Sequence, residues 1–173
     1  TRARIEEDLA RRDFTINALA SSITPSAWGE VLDLHGGLED IDSRCLRVLH
    51  DQSFSDDPTR IFRAARYVSR LEFDFDTNIF DLITDAHNGV VNLTGTRIAN
   101  ELEKIFQESN PLNALQILET WEVLADIQSD LSVDNHLKEL MLPGWHSSND
   151  RKLLGFLSLA LPLPSTRRRE LCE

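Results

Sequence analysis

The sequence has 173 residues, of which 41% are apolar and 27% charged, and its formal net charge is −11. These values suit a globular protein of one or two small domains and exclude collagen-like, low-complexity and generally basic nucleic-acid-binding proteins. No apolar run is long enough for a membrane span, and the N-terminal residues contain no apolar segment typical of a signal peptide. Two cysteines without a metal-site spacing favour a reducing, cytoplasmic compartment.

The first part of the chain contains short helical and strand patterns. Apolar residues recur at helical spacing over residues 5–22, with Asp13 as a candidate N-cap for a second helix over 15–22. Residues 31–34 alternate like a short strand, and residues 46–49 are the expected returning strand of a pair. A helical turn is expected between these strands.

After Asp57 and Pro58 the pattern is helical almost to the end. Asp57 suits a helix cap and Pro58 the first helical position, so a helix is predicted from there to about residue 71. Glycines and prolines then punctuate five further predicted helices, at 77–87, 96–107, 111–124, 134–141 and 148–160. The sequence therefore predicts an α+β fold that is mostly α, with one short strand pair. A soft boundary near residues 73–77, where the composition turns acidic, divides the chain into 1–72 and 73–173.

Positive charge is concentrated in the first part of the chain. Residues 1–70 carry ten Arg, no Lys and twelve acidic residues, whereas residues 71–173 carry eight basic and seventeen acidic residues. Because Arg makes fixed, bidentate contacts with phosphates and bases, any polyanion site is expected within the first seventy residues.

Four of these arginines form a stripe on the helix predicted after Asp57. Arg60, Arg63, Arg66 and Arg70 are spaced by three, three and four residues, and apolar residues occupy another face. One interpretation is a solvated helix face, with Asp57 acting only as a cap. The other is a nucleotide site, in which Asp57 and Arg60 face a base edge while Arg63 and Arg66 contact phosphates.

A second polar cluster surrounds Asp13. Arg12, near a helix start, can add to the helix dipole in binding phosphate, and Asn17 can anchor a sugar or the neighbouring strand. A capped amphipathic helix explains the same residues without any ligand.

These clusters, together with two further segments, follow the motifs of a known family in order. Residues 7–20 (EDLARRDFTINALA) resemble the second motif of the bacterial-type (class II) tRNA nucleotidyltransferases, the CCA-adding enzymes, and of their poly(A) polymerase relatives. Residues 33–41 (DLHGGLEDI) resemble the third motif, residues 56–67 (DDPTRIFRAARY) the nucleotide-templating fourth motif and residues 93–102 (LTGTRIANEL) the helical fifth. Four motifs in family order make this a specific resemblance.

The resemblance implies a nucleotide-selecting site. In the family, an Asp and an Arg of the fourth motif pair with the edge of CTP or ATP, and other arginines bind the triphosphate. The nucleotide-binding residues implied here are Arg12, Asp57, Arg60, Arg63 and Arg66, with Asp13 and Asn17 in supporting positions.

This sequence departs from the family pattern in three places. Asp56 stands where the family has Glu, and Thr96 where many members have Glu. The first motif, whose Asp-x-Asp pair binds two metal ions, is not recognisable and is expected to precede residue 1. Residues 40–42 and 74–76 have that spacing but the wrong position, and are interpreted as surface acids. The resemblance thus implies Mg²⁺ bound upstream, no catalytic or metal residue in this chain, and no nucleotide transfer by this chain alone.

The implied function is part of a tRNA nucleotidyltransferase that adds CMP or AMP, from CTP or ATP, to the tRNA 3′ end without a nucleic-acid template. Residues 1–72 are expected to end the nucleotidyltransferase head and to include the templating helix. Residues 73–173 are expected to form the helical neck and the start of the body. The expected partners are the tRNA 3′ end, ATP or CTP, and the N-terminal part of the catalytic head. The alternative is a non-catalytic RNA-binding or regulatory module derived from the family, and the sequence leaves open whether CC, A, CCA or poly(A) is added.

Overall fold

The computed structural model describes residues 4–141 and 150–172, and within them the architecture is α+β and mostly helical, as predicted. The first part contains α1 (Ile5–Ala10), β1 (Leu19–Ser21), β2 (Val31–Asp33), α2 (Gly37–Asp42), β3 (Cys45–Leu46), α3 (Ser53–Asp56) and α4 (Thr59–Leu71). The second part contains β4 (Asp74–Phe75), α5 (Ile79–Val91), α6 (Gly95–Phe106), α7 (Pro111–Thr120), α8 (Val123–Ile127), α9 (Asn135–Met141), α10 (Arg151–Ala160) and α11 (Ser165–Cys172). None of the helices among these residues is long and apolar enough to cross a membrane.

The strand pairing differs from the prediction. β2 pairs antiparallel with β1, whereas β3 pairs in parallel with β4, so the predicted pair of residues 31–34 with 46–49 was wrong. The segment 46–49 contributes Leu46 to β3 and otherwise only an isolated bridge between Val48 and Phe14. β1 and β2 are neighbours in the chain, so a turn can join them directly, and Gly29 supplies a left-handed residue (φ 81°) just before β2.

The helix predicted over residues 15–22 was also wrong. Thr15–Asn17 form a single 3-10 turn, and β1 follows. Thr15 is tied to distant residues: its N–H donates to the Arg47 carbonyl at 3.1 Å, and its hydroxyl donates to the Asp40 carboxylate. These tertiary hydrogen bonds take the place of helical ones, which is why apolar spacing misled the prediction.

The helical part follows the predicted order, with shifted ends. α5 continues through Gly89, which was predicted to end it. Gly89 lies close to Pro58, and a Cβ there would lie 2.5 Å from the proline Cγ. The helix predicted over 111–124 is broken into α7 and α8 at Glu122, which has a left-handed φ of 61°. Of the helix predicted over 148–160, the first two residues lie outside the described residues, and the rest corresponds to α10 (Arg151–Ala160). α11 was not predicted.

Among the described residues, a hydrophobic cluster extends from Phe14 to Leu163 and includes the apolar face of α4. The apolar face of α4 packs on α6 and α7, and Ala64 and Ala65 are completely buried there. Small side chains at a helix contact let the helices approach closely. Because one face of α4 is fixed in the core, the direction of its arginine stripe is fixed as well.

Candidate functional site

A cleft of about 390 Å³ opens between the Arg11–Arg12–Asp13 segment and the start of α4. Its lining joins residues that are distant in sequence, and it includes five that the sequence had indicated, namely Arg12, Asp13, Asp57, Arg60 and Arg63. Four arginines line it, Arg11, Arg12, Arg60 and Arg63, together with three acids, Asp13, Asp57 and Glu101. The lining therefore combines a small excess of positive charge with hydrogen-bond acceptors, which suits an anion that also carries polar groups.

Arg63 is held by Asp13 at the base of the cleft. Its Nε donates to Asp13 Oδ2 at 2.6 Å, and the other carboxylate oxygen accepts from the Phe14 N–H at 3.0 Å and from Asn17 Nδ2 at 2.9 Å. Burial by itself lowers the pKa of Arg63, but the hydrogen bond and charge of Asp13 more than offset it, and the pKa lies above its ordinary value. Arg63 is therefore permanently charged and oriented. Asn17 orients Asp13.

Asp57 and Arg60 lie side by side at the start of α4. Asp57 Oδ1 accepts hydrogen bonds from Thr59 Oγ1 and from Arg97 Nη2, both at 2.7 Å. Arg60 Nη1 donates to Ser53 Oγ at 2.8 Å. One presents an acceptor and the other a fork of donors to the same cleft, and each is fixed by a neighbour from a different helix or loop.

Arg12 lies at the rim of the cleft. Its Nη2 contacts Asp8 Oδ2 at 3.0 Å, and its side chain is about half exposed. Arg11 contacts the same carboxylate, and the hydrogen bonds from Arg11 and Arg12 lower the pKa of Asp8. Because these pairs are exposed, they exchange easily for a ligand.

Arg66 is the one predicted nucleotide-binding residue that does not line the cleft. Its Nε donates to Glu108 at 3.0 Å, and Arg70 donates to the same carboxylate from the next turn of α4. Burial raises the pKa of Glu108, but the hydrogen bonds from Arg70 and Arg66 prevail and the pKa lies below its ordinary value. The stripe is therefore divided: two arginines face the cleft and two anchor α4 to the connection between α6 and α7.

Sequence reasoning missed three residues of the site, Arg97, Glu101 and Ser53. Arg97 and Glu101 lie four residues apart on α6, inside the segment that resembles the fifth motif. Arg97 is also the only basic residue between Arg70 and Lys104, a signal that could have marked it. Ser53 gives no comparable signal, since any polar residue at that place can accept from Arg60.

The metal ions that the resemblance implies do not fit the residues of this structure. Within residues 4–141 and 150–172, no group of three or more His, Cys, Asp or Glu side chains could hold a metal ion. No metal-dependent step is therefore assigned to the described residues.

Comparison with known families identifies relatives for both parts of the chain. Residues 1–47 match the family model of the poly A polymerase head domain, and residues 72–133 match the model described as the probable RNA and SrmB-binding site of polymerase A. The whole of α4 (Thr59–Leu71), which carries the arginine stripe, lies between these two matches.

Individual proteins are similar over 80% to 96% of this chain. The A-adding tRNA nucleotidyltransferase of Halalkalibacterium halodurans is 35% identical over 145 residues, which is 80% of this chain and 34% of that protein. A structure of a CCA-adding enzyme with ATP matches with a TM-score of 0.83 and 31% identity, over 96% of this chain and 42% of that one. The Thermotoga maritima CCA-adding enzyme complexed with tRNA matches with a TM-score of 0.81 and 32% identity, over 96% and 43%. The chain thus spans between a third and a half of these proteins.

Proposed function

Because this chain belongs to the family of tRNA nucleotidyltransferases and poly(A) polymerases, we propose that its cleft selects the nucleotide that a larger enzyme transfers. The reaction proposed for the whole protein is transfer of CMP or AMP from CTP or ATP to the 3′ hydroxyl of a tRNA in the cytoplasm, without a nucleic-acid template. Residues 1–72 contribute the end of the catalytic head, and residues 73–173 the neck and the start of the body.

The observation that carries the proposal is the placement of Asp57 beside Arg60 in an arginine-lined cleft. Cytosine and adenine each present an amino donor next to a ring-nitrogen acceptor on their pairing edge. Uracil and guanine present a carbonyl acceptor next to an N–H donor. A carboxylate beside a guanidinium complements the first pattern and leaves groups unpaired against the second, so Asp57 and Arg60 favour CTP and ATP.

Arg63 and Arg12 are proposed to bind the triphosphate. Arg63 is already fixed by Asp13 at the base of the cleft, and Arg12 lies at the rim, where its pair with Asp8 is readily exchanged. Arg66, which donates to Glu108, is proposed to support the site from behind by holding α4 in place.

The proposed reaction also needs a metal ion and an acceptor for the nucleotide. Mg²⁺ is proposed to bind carboxylates elsewhere in the larger protein, where it would activate the primer hydroxyl and stabilise the leaving pyrophosphate. The tRNA 3′ end is proposed as the acceptor, supported by the similarity to a CCA-adding enzyme whose structure contains tRNA.

The proposal is tested by comparing Asp57→Ala with Arg63→Ala in the full-length protein. We expect Asp57→Ala to reduce discrimination of CTP and ATP against UTP and GTP, since a lost bidentate base contact costs about 1–3 kcal/mol. Arg63→Ala should weaken use of all four nucleotides about equally. The measurement is kcat/KM for each nucleotide with a tRNA that lacks its 3′ end.

Asp51→Ala is the control, because Asp51 is an exposed carboxylate a few residues before Asp57 and lies outside both the fourth motif and the cleft lining. Its nucleotide preference should equal that of the wild type. If the Asp57→Ala protein folded and kept the wild-type nucleotide preference, Asp57 would be only a cap for α4, and this result would contradict its proposed role in nucleotide selection.

A further inference from the structure

One buried carboxylate oxygen at the cleft has no hydrogen-bond partner among the described residues. Glu101 is 6% exposed, and its Oε1 accepts from Lys104 Nζ at 2.5 Å. Its Oε2 is closed to solvent and unpaired. Leaving a buried acceptor unsatisfied is unfavourable, and more so when the group is charged. Such a group is expected to act on a neighbour through its charge.

Arg63 is the neighbour on which the charge of Glu101 acts. The two residues line the same cleft, and their helices, α4 and α6, pack directly on each other. Among the influences on the pKa of Arg63, burial comes first and lowers it, Asp13 raises it, and the charge of Glu101 raises it further. Arg63 therefore lies in the field of two carboxylates, of which only Asp13 touches it.

The other sides of the Arg63 guanidinium are also defined. Its Cζ lies 5.7 Å from the centroid of the Tyr67 ring, and Nε and Nη2 are bound by Asp13. Among the described residues Nη1 makes no hydrogen bond, so this nitrogen is available to a ligand. The direction in which it points depends on the groups that surround the guanidinium.

We propose that Glu101 is a positioning residue for the nucleotide site: its buried, unpaired carboxylate oxygen, together with Asp13, holds Arg63 oriented toward an anionic ligand in the cleft. This inference rests on the proposed function, because it takes the ligand to be a nucleoside triphosphate. Glu101 acts through Arg63 and makes no contact with the phosphates.

The direction in which Glu101→Gln changes ligand affinity separates this positioning role from a purely electrostatic effect on the ligand. Glu101 places negative charge beside a cleft that binds a polyanion, so by charge alone Glu101→Gln should tighten binding. If Glu101 positions Arg63, the same substitution removes one of the two charges that orient the guanidinium, leaving Asp13 alone to hold it, and should weaken binding. Gln has nearly the same shape as Glu, which leaves the packing of α6 in place.

The experiment measures dissociation constants for CTP and ATP by calorimetry in the full-length protein. The variants are Glu101→Gln, Arg63→Ala and the double substitution. We expect Glu101→Gln to weaken binding about three- to tenfold and to have no further effect when Arg63 is already Ala, because coupled residues are not additive. Glu103→Gln is the matched control: it lies on the same helix, pairs with Lys152 at the surface and should bind like the wild type.

Several outcomes would overturn the inference. Unchanged or tighter binding by folded Glu101→Gln would do so, and so would an equal loss in the wild-type and Arg63→Ala backgrounds. If Glu101→Gln does not fold, Glu101→Asp decides: it keeps the charge and should bind within about twofold of the wild type, whereas a larger loss contradicts the positioning role. Failure of the wild type to bind CTP and ATP, or wild-type binding by Arg63→Ala, would instead overturn the proposed function and this inference with it.

Discussion

At the scale of single residues, the side chains proposed to bind the ligand already have protein partners. Asp13 holds Arg63, Ser53 holds Arg60 and Arg97 holds Asp57. Groups ordered before the ligand arrives lose less conformational entropy on binding. The sequence pointed to the ligand-facing residues through their spacing. It did not show the partners of Arg63 and Asp57, which lie 50 and 40 residues away and meet them only after the helices pack.

Removing Arg97 should loosen Asp57 with little effect on stability. Arg97 is half exposed, so Arg97→Ala should lower the free energy of unfolding by less than about 1 kcal/mol. We expect discrimination of CTP and ATP against UTP and GTP to fall about three- to tenfold, because Asp57 loses the bond that orients it. The check is relative kcat/KM in the full-length protein. Lys152→Ala, which breaks a comparable surface pair away from the cleft, should leave the preference intact; an equal change in both variants would contradict the assignment.

The Glu108 carboxylate should make stability depend on pH. Its pKa in the folded protein lies below the ordinary value of 4.5, so its stabilising effect is complete above that pH and is lost as the pH falls through the lower, folded-state pKa. Glu108→Gln should reduce the free energy of unfolding by about 1–3 kcal/mol at pH 7, since two arginines lose a charged acceptor. Urea unfolding at pH 7, 5, 4 and 3 should show the two proteins converging below pH 4.5. Parallel curves at every pH would contradict this role.

At the scale of elements, the helices with strong apolar periodicity were predicted well and the short elements were not. α4 and α6 combine an apolar face with clear end signals, so local pattern and tertiary packing agree. The segment that forms β1 has helical spacing, yet it pairs with β2 because packing outweighs a weak local preference. β3 and β4 have two residues each, too few for any alternation to be recognised.

The close approach of α5 to the start of α4 can be tested through glycine. A Cβ at Gly89 would lie 2.5 Å from Pro58 Cγ, so Gly89→Ala must push α5 away from the residue that follows Asp57. We expect it to lower the free energy of unfolding by about 1–3 kcal/mol, as overpacking usually does.

Gly95→Ala is the control for that change, because a Cβ at Gly95, the first residue of α6, meets nothing within 4 Å. Its effect should lie between no change and about 1 kcal/mol of stabilisation. Chemical denaturation of both variants gives the comparison, and equal destabilisation would show that the Pro58 contact is not responsible.

At the scale of the whole molecule, one continuous core coexists with an uncovered apolar groove. The groove lies between α1 and the β1–β2 hairpin, and Ile5 and Val31, both about half exposed, line it. A two-stranded sheet with open edges and exposed apolar side chains favours association.

We therefore expect the 173-residue polypeptide to self-associate as its concentration rises. Val31→Lys places a charge in the groove and should shift the polypeptide toward monomer, as followed by sedimentation velocity. Phe80→Lys removes an equally exposed apolar side chain from α5, away from the groove, and should change association little. A monomer at all concentrations, or an equal response to both substitutions, would show that the groove does not mediate association.

Because of where α4 lies, a ligand bound in the cleft is expected to slow amide exchange beyond the residues that it contacts. One face of this helix is fixed in the core against α6 and α7, the start of the other face forms a wall of the cleft, and its later turns are held by Glu108, so the middle of the helix cannot open by itself. Its amides should exchange with deuterated solvent only through unfolding of the whole cooperative unit. A ligand bound to the arginines would stabilise that unit, and the slowing of exchange would reach amides of α7, which do not line the cleft.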